Sequence, residues 1–182
     1  MKQLNGVSFD RCICPRERVG SPILCVFADA SRAAFGTCAY LPIESSLGEV
    51  NVKFIAAKSR VAPLKELTIP RLELQAAVLA SRLCKTIEQE IRIELQETIR
   101  VGEIRSNVKP VQWKHMPTEQ NPADDVSRGL SVPDLSRRWS SGPEFLQRPV
   151  NEWPNEDEKP DPAEVERECI RKKTVGIVTT DY

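Results

Sequence analysis

The 182-residue chain has no excess of charge of either sign. Lys+Arg and Asp+Glu stand at 26 each, so its overall field cannot hold a polyanion, and any nucleic-acid contact must come from a local patch. That excludes a histone-like binder. No apolar run approaches the roughly 18 residues of a membrane span, and the opening Met-Lys-Gln-Leu-Asn-Gly lacks the apolar stretch of a secretory signal. The expectation is an intracellular protein with no membrane partner. Its six cysteines include no C-x-x-C pair, and His115 is the single histidine, so neither a structural zinc site nor a Cys–His hydrolase is expected. Cys25, Cys38 and Cys84 sit in apolar runs and read as small buried hydrophobes. Internal repeats are absent, and so is any Asp-Thr/Ser-Gly triplet, the turn on which an aspartic peptidase builds its paired carboxylates.

What is present is organised unevenly. Nine of the 14 prolines fall from Pro110 onward, which puts most of the packed chain before that point. Residues 155 to 173 carry seven acidic and five basic side chains with few large apolar ones, the composition of a tail or linker. The expected layout is an N-terminal extension (1–20), a domain (21–130), a Trp/Pro-containing extension (131–154) and a charged tail (155–182). The run Ile23-Leu24-Cys25-Val26-Phe27-Ala28 has strand length and no polar face, as a central strand requires, and it ends at Asp29. Residues 33 to 41 form a second β-like run, with Pro42 to Gly48 as the following loop. Residues 50 to 55 alternate like a strand with one solvated face. Together they predict a three-stranded meander.

Pro70 suits a first helical turn, and Leu72, Ala76, Leu79, Leu83, Ile87 and Ile91 recur at steps of three and four, predicting an amphipathic helix over about 70 to 97. Glu73 lies one residue off that stripe, stacked with Ala77, Ala80 and Cys84, small side chains that would let the helix approach the sheet closely. Residues 111 to 116 read as a short strand. Asn121-Pro122-Ala123-Asp124 then reads as a helix start, with Asn as cap, Asp124 as third residue and Gly129 as the stop.

Three strings, Val26-Phe27-Ala28-Asp29-Ala30-Ser31, Pro70-Arg71-Leu72-Glu73-Leu74 and Asn121-Pro122-Ala123-Asp124-Asp125-Val126-Ser127-Arg128-Gly129, resemble the ribonuclease H-like region that follows the reverse transcriptase in Bel/Pao retrotransposon polyproteins. Ala57 to Leu64, Trp139 with Gly142 to Leu146, and Trp153-Pro154 add to the match. The resemblance implies an α/β fold with a mixed sheet, and hydrolysis of the RNA strand of an RNA–DNA hybrid. Four carboxylates would hold two Mg2+ (or Mn2+) ions, hard cations that prefer oxygen ligands. The reverse transcriptase and integrase portions of the parent polyprotein would be its neighbours. Matched motif by motif, Asp29, Glu73 and Asp124 become the catalytic, metal-binding carboxylates.

The fourth carboxylate has no counterpart. Arg100-Val101-Gly102-Glu103-Ile104 resembles the end of the helix that should follow the fourth strand, yet it comes almost directly after the long helix. The expectation is therefore a sheet lacking its fourth strand and most of the next helix. The junction near 97 to 100 is either a deletion or an unjoined stretch of coding sequence. Loss of one member of a cooperating constellation implies impaired catalysis. The alternative is a noncatalytic remnant with weak nucleic-acid or protein binding. For each candidate a plainer reading exists: a strand-end turn for Asp29, the helix dipole for Glu73, and a capped first turn with Arg128 as i+4 partner for Asp124. Asp125 reads as a solvated neighbour, and His115 as outside the site.

Overall fold

The computed structural model describes residues 13, 18–102, 113–114, 120–129 and 138–154. The apolar run extends slightly further than its sequence pattern, as β1 (Ile23–Ala30). It pairs antiparallel with β2 (Ala34–Glu44), which pairs antiparallel with β3 (Val50–Val61). β2 passes through Pro42, expected to lie in a loop. The proline is tolerated because there β2 pairs with β3 only, β1 joining the ladder at Tyr40. A register shift at Ala39/Tyr40 bends this part of the meander.

The long helix α1 runs Ile69–Glu90, shorter than expected at its C-terminus. From Ile91 to Val101 the odd positions Ile91, Ile93, Leu95, Ile99 and Val101 are more buried than most of their neighbours, a period-two pattern that favours extended chain over helix. Accordingly Ile91 is extended, and Glu97–Gly102 forms β4, parallel to β1 with Leu24 opposite Thr98 and Ala28 opposite Gly102. This corrects the expectation of a missing fourth strand: the slot beside β1 is filled by residues 97–102, where the junction was expected and where Arg100-Val101-Gly102 resembled the end of a helix. The short strand expected over 111–116 is β5 (Trp113–Lys114), which pairs with β4 rather than β1. The sheet order is β3-β2-β1-β4-β5. The segment where a following helix would lie, 103–112, is outside the described residues, as is His115.

Alternation along β1 sends its side chains to two cores. Leu24, Val26 and Ala28 join Phe35, Ala39, Leu41 and the buried stripe of α1. Ile23, Cys25 and Phe27 join Cys38, Tyr40, Ile99 and Val101 on the other face. That second face is covered by α2 (Ala123–Arg128) and by residues 138–153, which contribute Phe145, Leu146 and Trp153 as buried side chains. Edge-to-face ring pairs link Phe27, Tyr40, Phe145 and Trp153, and the fully buried Tyr40 donates its hydroxyl to the Trp139 carbonyl at 3.0 Å.

The polar seam between α1 and β4 fixes the direction of the helix. Cys84 Sγ donates to Glu88 Oε1 (3.2 Å) and accepts from Arg100 Nη2 (3.5 Å), while Thr98 Oγ1 donates to the same Glu88 oxygen (2.8 Å). Burial and the Glu88 hydrogen bond push the Cys84 thiol above its ordinary 9.0, against the opposing pull of Arg100. Because the folded chain holds this proton more tightly than the unfolded one, the contribution is complete below about 9 and is lost as pH rises beyond it. Cys84 is therefore expected to resist a thiol reagent at pH 8 in the folded protein and to react only on denaturation; rapid native labelling at this position would contradict the seam.

Candidate functional site

Asp29 ends the apolar part of β1 on the face covered by α2, and its side chain is buried. Ser127 Oγ, on α2, donates to Asp29 Oδ2 at 2.5 Å; the Asp124 carbonyl, 3.1 Å from the same hydroxyl, is its more distant acceptor. Ser31, in the turn after β1, donates to the Ser127 carbonyl at 2.7 Å. Asn121 completes the stitching. Its Nδ2 donates to the Ala28 carbonyl and its Oδ1 accepts from Ala123 N–H, each at 3.0 Å. The helix starts one residue later than expected, at Ala123 with Pro122 in the cap position, yet Asn121 still accepts from its first N–H and bonds the strand as well. Gly129, at φ 90°, ends the helix with its N–H on the Asp125 carbonyl.

Gly36 explains how α2 comes so close. It stands opposite Asp29 in the ladder, and a Cβ there would meet Val126 Cγ1 at 2.3 Å and the Lys58 carbonyl at 3.2 Å. Only a residue without a side chain lets the helix rest on the strand.

Glu73 is buried on the opposite layer, within α1 and over Ala77, Ala80 and Cys84, as its stacking predicted. The seam places it along the strand axis. Cys84 meets Arg100, which is opposite Val26, and Glu88 meets Thr98, opposite Leu24, so α1 runs antiparallel to β1. Glu73 is about 16 Å up the helix from Cys84, and 16 Å is about five strand residues beyond Val26, level with the end of β1. Asp29, Glu73 and Asp124 thus share one end of the sheet, with Glu73 on α1 and Asp124 on α2.

They do not form a metal cage as they stand. Among the described residues no three Asp, Glu, His or Cys side chains group closely enough to hold a metal ion. The Asp124 carboxylate is paired with Arg128, Oδ1 to Nε at 2.6 Å, in the i+4 arrangement anticipated for a plain surface helix. The contact is short but poorly aligned, an ion pair rather than a hydrogen bond. Asp29 is engaged by Ser127, and Glu73 and Asp125 have partners of their own. The donor chemistry suits a hard divalent cation, but the arrangement does not fit one without displacing these partners.

Among the described residues β4 adds no carboxylate at this end; Glu103, next in sequence, lies outside them. The β4 sequence Glu-Thr-Ile-Arg-Val-Gly starts with an acid opposite Ile23, at the far end, and reaches Gly102 opposite Ala28. The sequence reading missed the roles of Ser127 and Ser31. Both lie in or beside quoted strings, but their contacts span 96 and 98 residues, a separation that no local pattern encodes.

A mixed sheet with an antiparallel meander, a parallel fourth strand and helices on both faces defines a ribonuclease H-like α/β domain. Residues 1–101 match the family model described as the Pao retrotransposon-like RNaseH-like domain, and the chain belongs to that family. The matched stretch holds Asp29 and Glu73 and ends within β4. Asp124 lies beyond it, so its assignment rests on the Asn121–Gly129 string alone. No curated protein and no solved structure matches the chain. No described helix is long and apolar enough to cross a membrane.

Proposed function

We propose that this domain derives from a nuclease that hydrolyses the RNA strand of RNA–DNA hybrids, and that its own hydrolysis is strongly reduced or lost. The observation that carries the reading is the engagement of the carboxylates at the end of β1: Ser127 donates to Asp29 and Arg128 pairs with Asp124, and each contact removes part of a carboxylate's capacity for a cation. In an active ancestor the bound Mg2+ or Mn2+ supplies a Lewis acid and an activated water. Here Asp29, Glu73 and Asp124 are the side chains that would hold such an ion. The partners in this reading are an RNA–DNA hybrid and the reverse transcriptase and integrase portions of a polyprotein.

The test is incubation of the chain with a labelled hybrid in Mg2+ and, separately, Mn2+, with Asp29→Asn alongside. The expected result is no cleavage above that of the variant. Efficient cleavage by the parent that disappears in Asp29→Asn would overturn the impaired reading and restore an enzyme.

A further inference from the structure

Among the described residues, the far half of β3 has a neighbouring strand on one side only. Residues 57–61 are exposed on both faces, Val61 to 83%, and pair with residues 34–38 of β2. β3 is an edge of the sheet. Which backbone groups face outward follows from the ladder. Ala62 N–H donates to the Ala33 carbonyl and the Lys58 carbonyl lies towards Gly36, so residues 58, 60 and 62 turn their N–H and C=O groups to β2. Those of Ala57, Ser59 and Val61 point away from the sheet, and no described backbone hydrogen bond reaches them. Alternating donors and acceptors along an open edge are a template for one more strand.

The side chains decide what that strand must carry. Lys58 and Arg60 are opposite Thr37 and Phe35, and Phe35 packs in the core beneath α1, so both cations lie on the α1 side of the sheet, about 7 Å apart along the strand. Neither is ion-paired to a described residue. β3 itself contains no acid. Glu49 precedes its first residue and Glu66 lies in the loop beyond its last, while Asp124 and Asp125 belong to α2 under the other face, Asp124 paired with Arg128. A second copy of the chain is a poor occupant: antiparallel pairing centred on Ser59 sets Lys58 against Arg60, and like charges directly opposite repel. A phosphodiester chain has acceptors for the outward amides and no N–H for the outward carbonyls.

We infer that the outer edge of β3 at residues 57–61 takes up an extended segment of another polypeptide, one with carboxylates at alternate residues. Backbone pairing supplies the contact, and charge complementarity chooses the occupant. Acids two residues apart fall opposite Lys58 and Arg60. The residue between them turns to the other face, beside Ala57, Ser59 and Val61, where an apolar side chain suits the exposed valine. The surface is thus a protein-docking edge, separate from the carboxylates at the end of β1 and independent of hydrolysis.

The experiment measures fluorescence anisotropy of a labelled peptide, Thr-Glu-Val-Glu-Val-Glu-Thr, with the full chain, against a scrambled peptide of the same composition, Thr-Val-Val-Glu-Glu-Glu-Thr. The parent is expected to bind the alternating peptide more tightly than the scrambled one. Ser59→Pro removes an outward N–H and spares the β2 ladder, so it is expected to weaken that binding about tenfold. Lys58→Glu/Arg60→Glu is expected to lose the peptide and to bind Thr-Lys-Val-Lys-Val-Lys-Thr in its place. Arg82→Glu/Lys85→Glu, on the exposed face of α1, makes the same change of net charge and is expected to leave binding unaltered. A thermal melt shows whether each variant folds; should Ser59→Pro melt early, the charge-reversed pair carries the test. No binding by the parent, equal binding of the two acidic peptides, or unaltered binding by a folded Ser59→Pro would overturn the inference. Three other occupants would overturn it too. They are an RNA–DNA hybrid that displaces the peptide at equal charge, a dimer of the chain that Ser59→Pro abolishes, and the chain's own Glu164-Val165-Glu166-Arg167-Glu168 segment, revealed by tighter peptide binding in Glu164→Gln/Glu166→Gln/Glu168→Gln. The cleavage assay can fail or succeed separately.

Discussion

Gly36→Ala is expected to destabilise the protein by about 1–3 kcal/mol, a large cost for one methyl group, because it is overpacking at a point with no slack. The added Cβ would lie 2.3 Å from Val126 Cγ1 and 2.9 Å from Val126 Cβ. Rotating the valine moves the first atom but leaves the second, so α2 itself must lift. Lifting it strains the Ser127–Asp29 bond and both Asn121 bonds together. Urea unfolding of Gly36→Ala, with Gly36→Ala/Val126→Ala as partner, checks the cause. The double variant removes the 2.3 Å clash with Cγ1 but keeps the Cβ at 2.9 Å, so it should recover part of the loss and not all of it, a positive coupling between two residues in contact. Purely additive effects would mean that the glycine matters for some other reason.

Leu146→Ala is expected to have the larger effect on stability, about 2–5 kcal/mol, by the cavity left at a site that cannot collapse. Leu146 is fully buried beneath the second face of the sheet, in the same cluster as the rings of Phe27, Tyr40 and Phe145. Those rings hold one another in edge contacts and have little room to close the gap. The prediction also concerns where the folded unit ends. If residues 138–153 complete the core, a chain stopped at residue 130 leaves only α2 over the face of Phe27, Cys38 and Tyr40 and loses cooperative unfolding. Leu146→Ala indistinguishable from the parent in chemical denaturation would show that this segment adds little to folding.

Much of this architecture was legible from periodicity. β1 was evident because a central strand has no polar face, and α1 because its stripe persists for five turns. Its boundary was the difficult part: Leu83, Ile87 and Ile91 continue the helical spacing while Ile91, Ile93 and Leu95 begin an alternating one, and the two patterns overlap at one residue. The sheet resolved the overlap, since Ile99 and Val101 gain burial beside β1 only as a strand. The far half of β3 was missed for the opposite reason. Ala56, Ala57, Lys58, Ser59 and Arg60 show no alternation, because the strand is at an edge where ladder hydrogen bonds, not side-chain burial, keep it extended.

By itself, then, the order of residues determined the element types over most of the chain, the capped turn from Asn121 to Gly129, and the resemblance that the family match bears out. These are local matters, set by spacing within a few residues and by which side chains avoid water. Tertiary structure alone decided that 97–102 fills the slot beside β1 and that Ser127 occupies Asp29. Each depends on which distant segments come to rest against one another, a competition for buried area and hydrogen-bond partners that no short stretch of sequence contains.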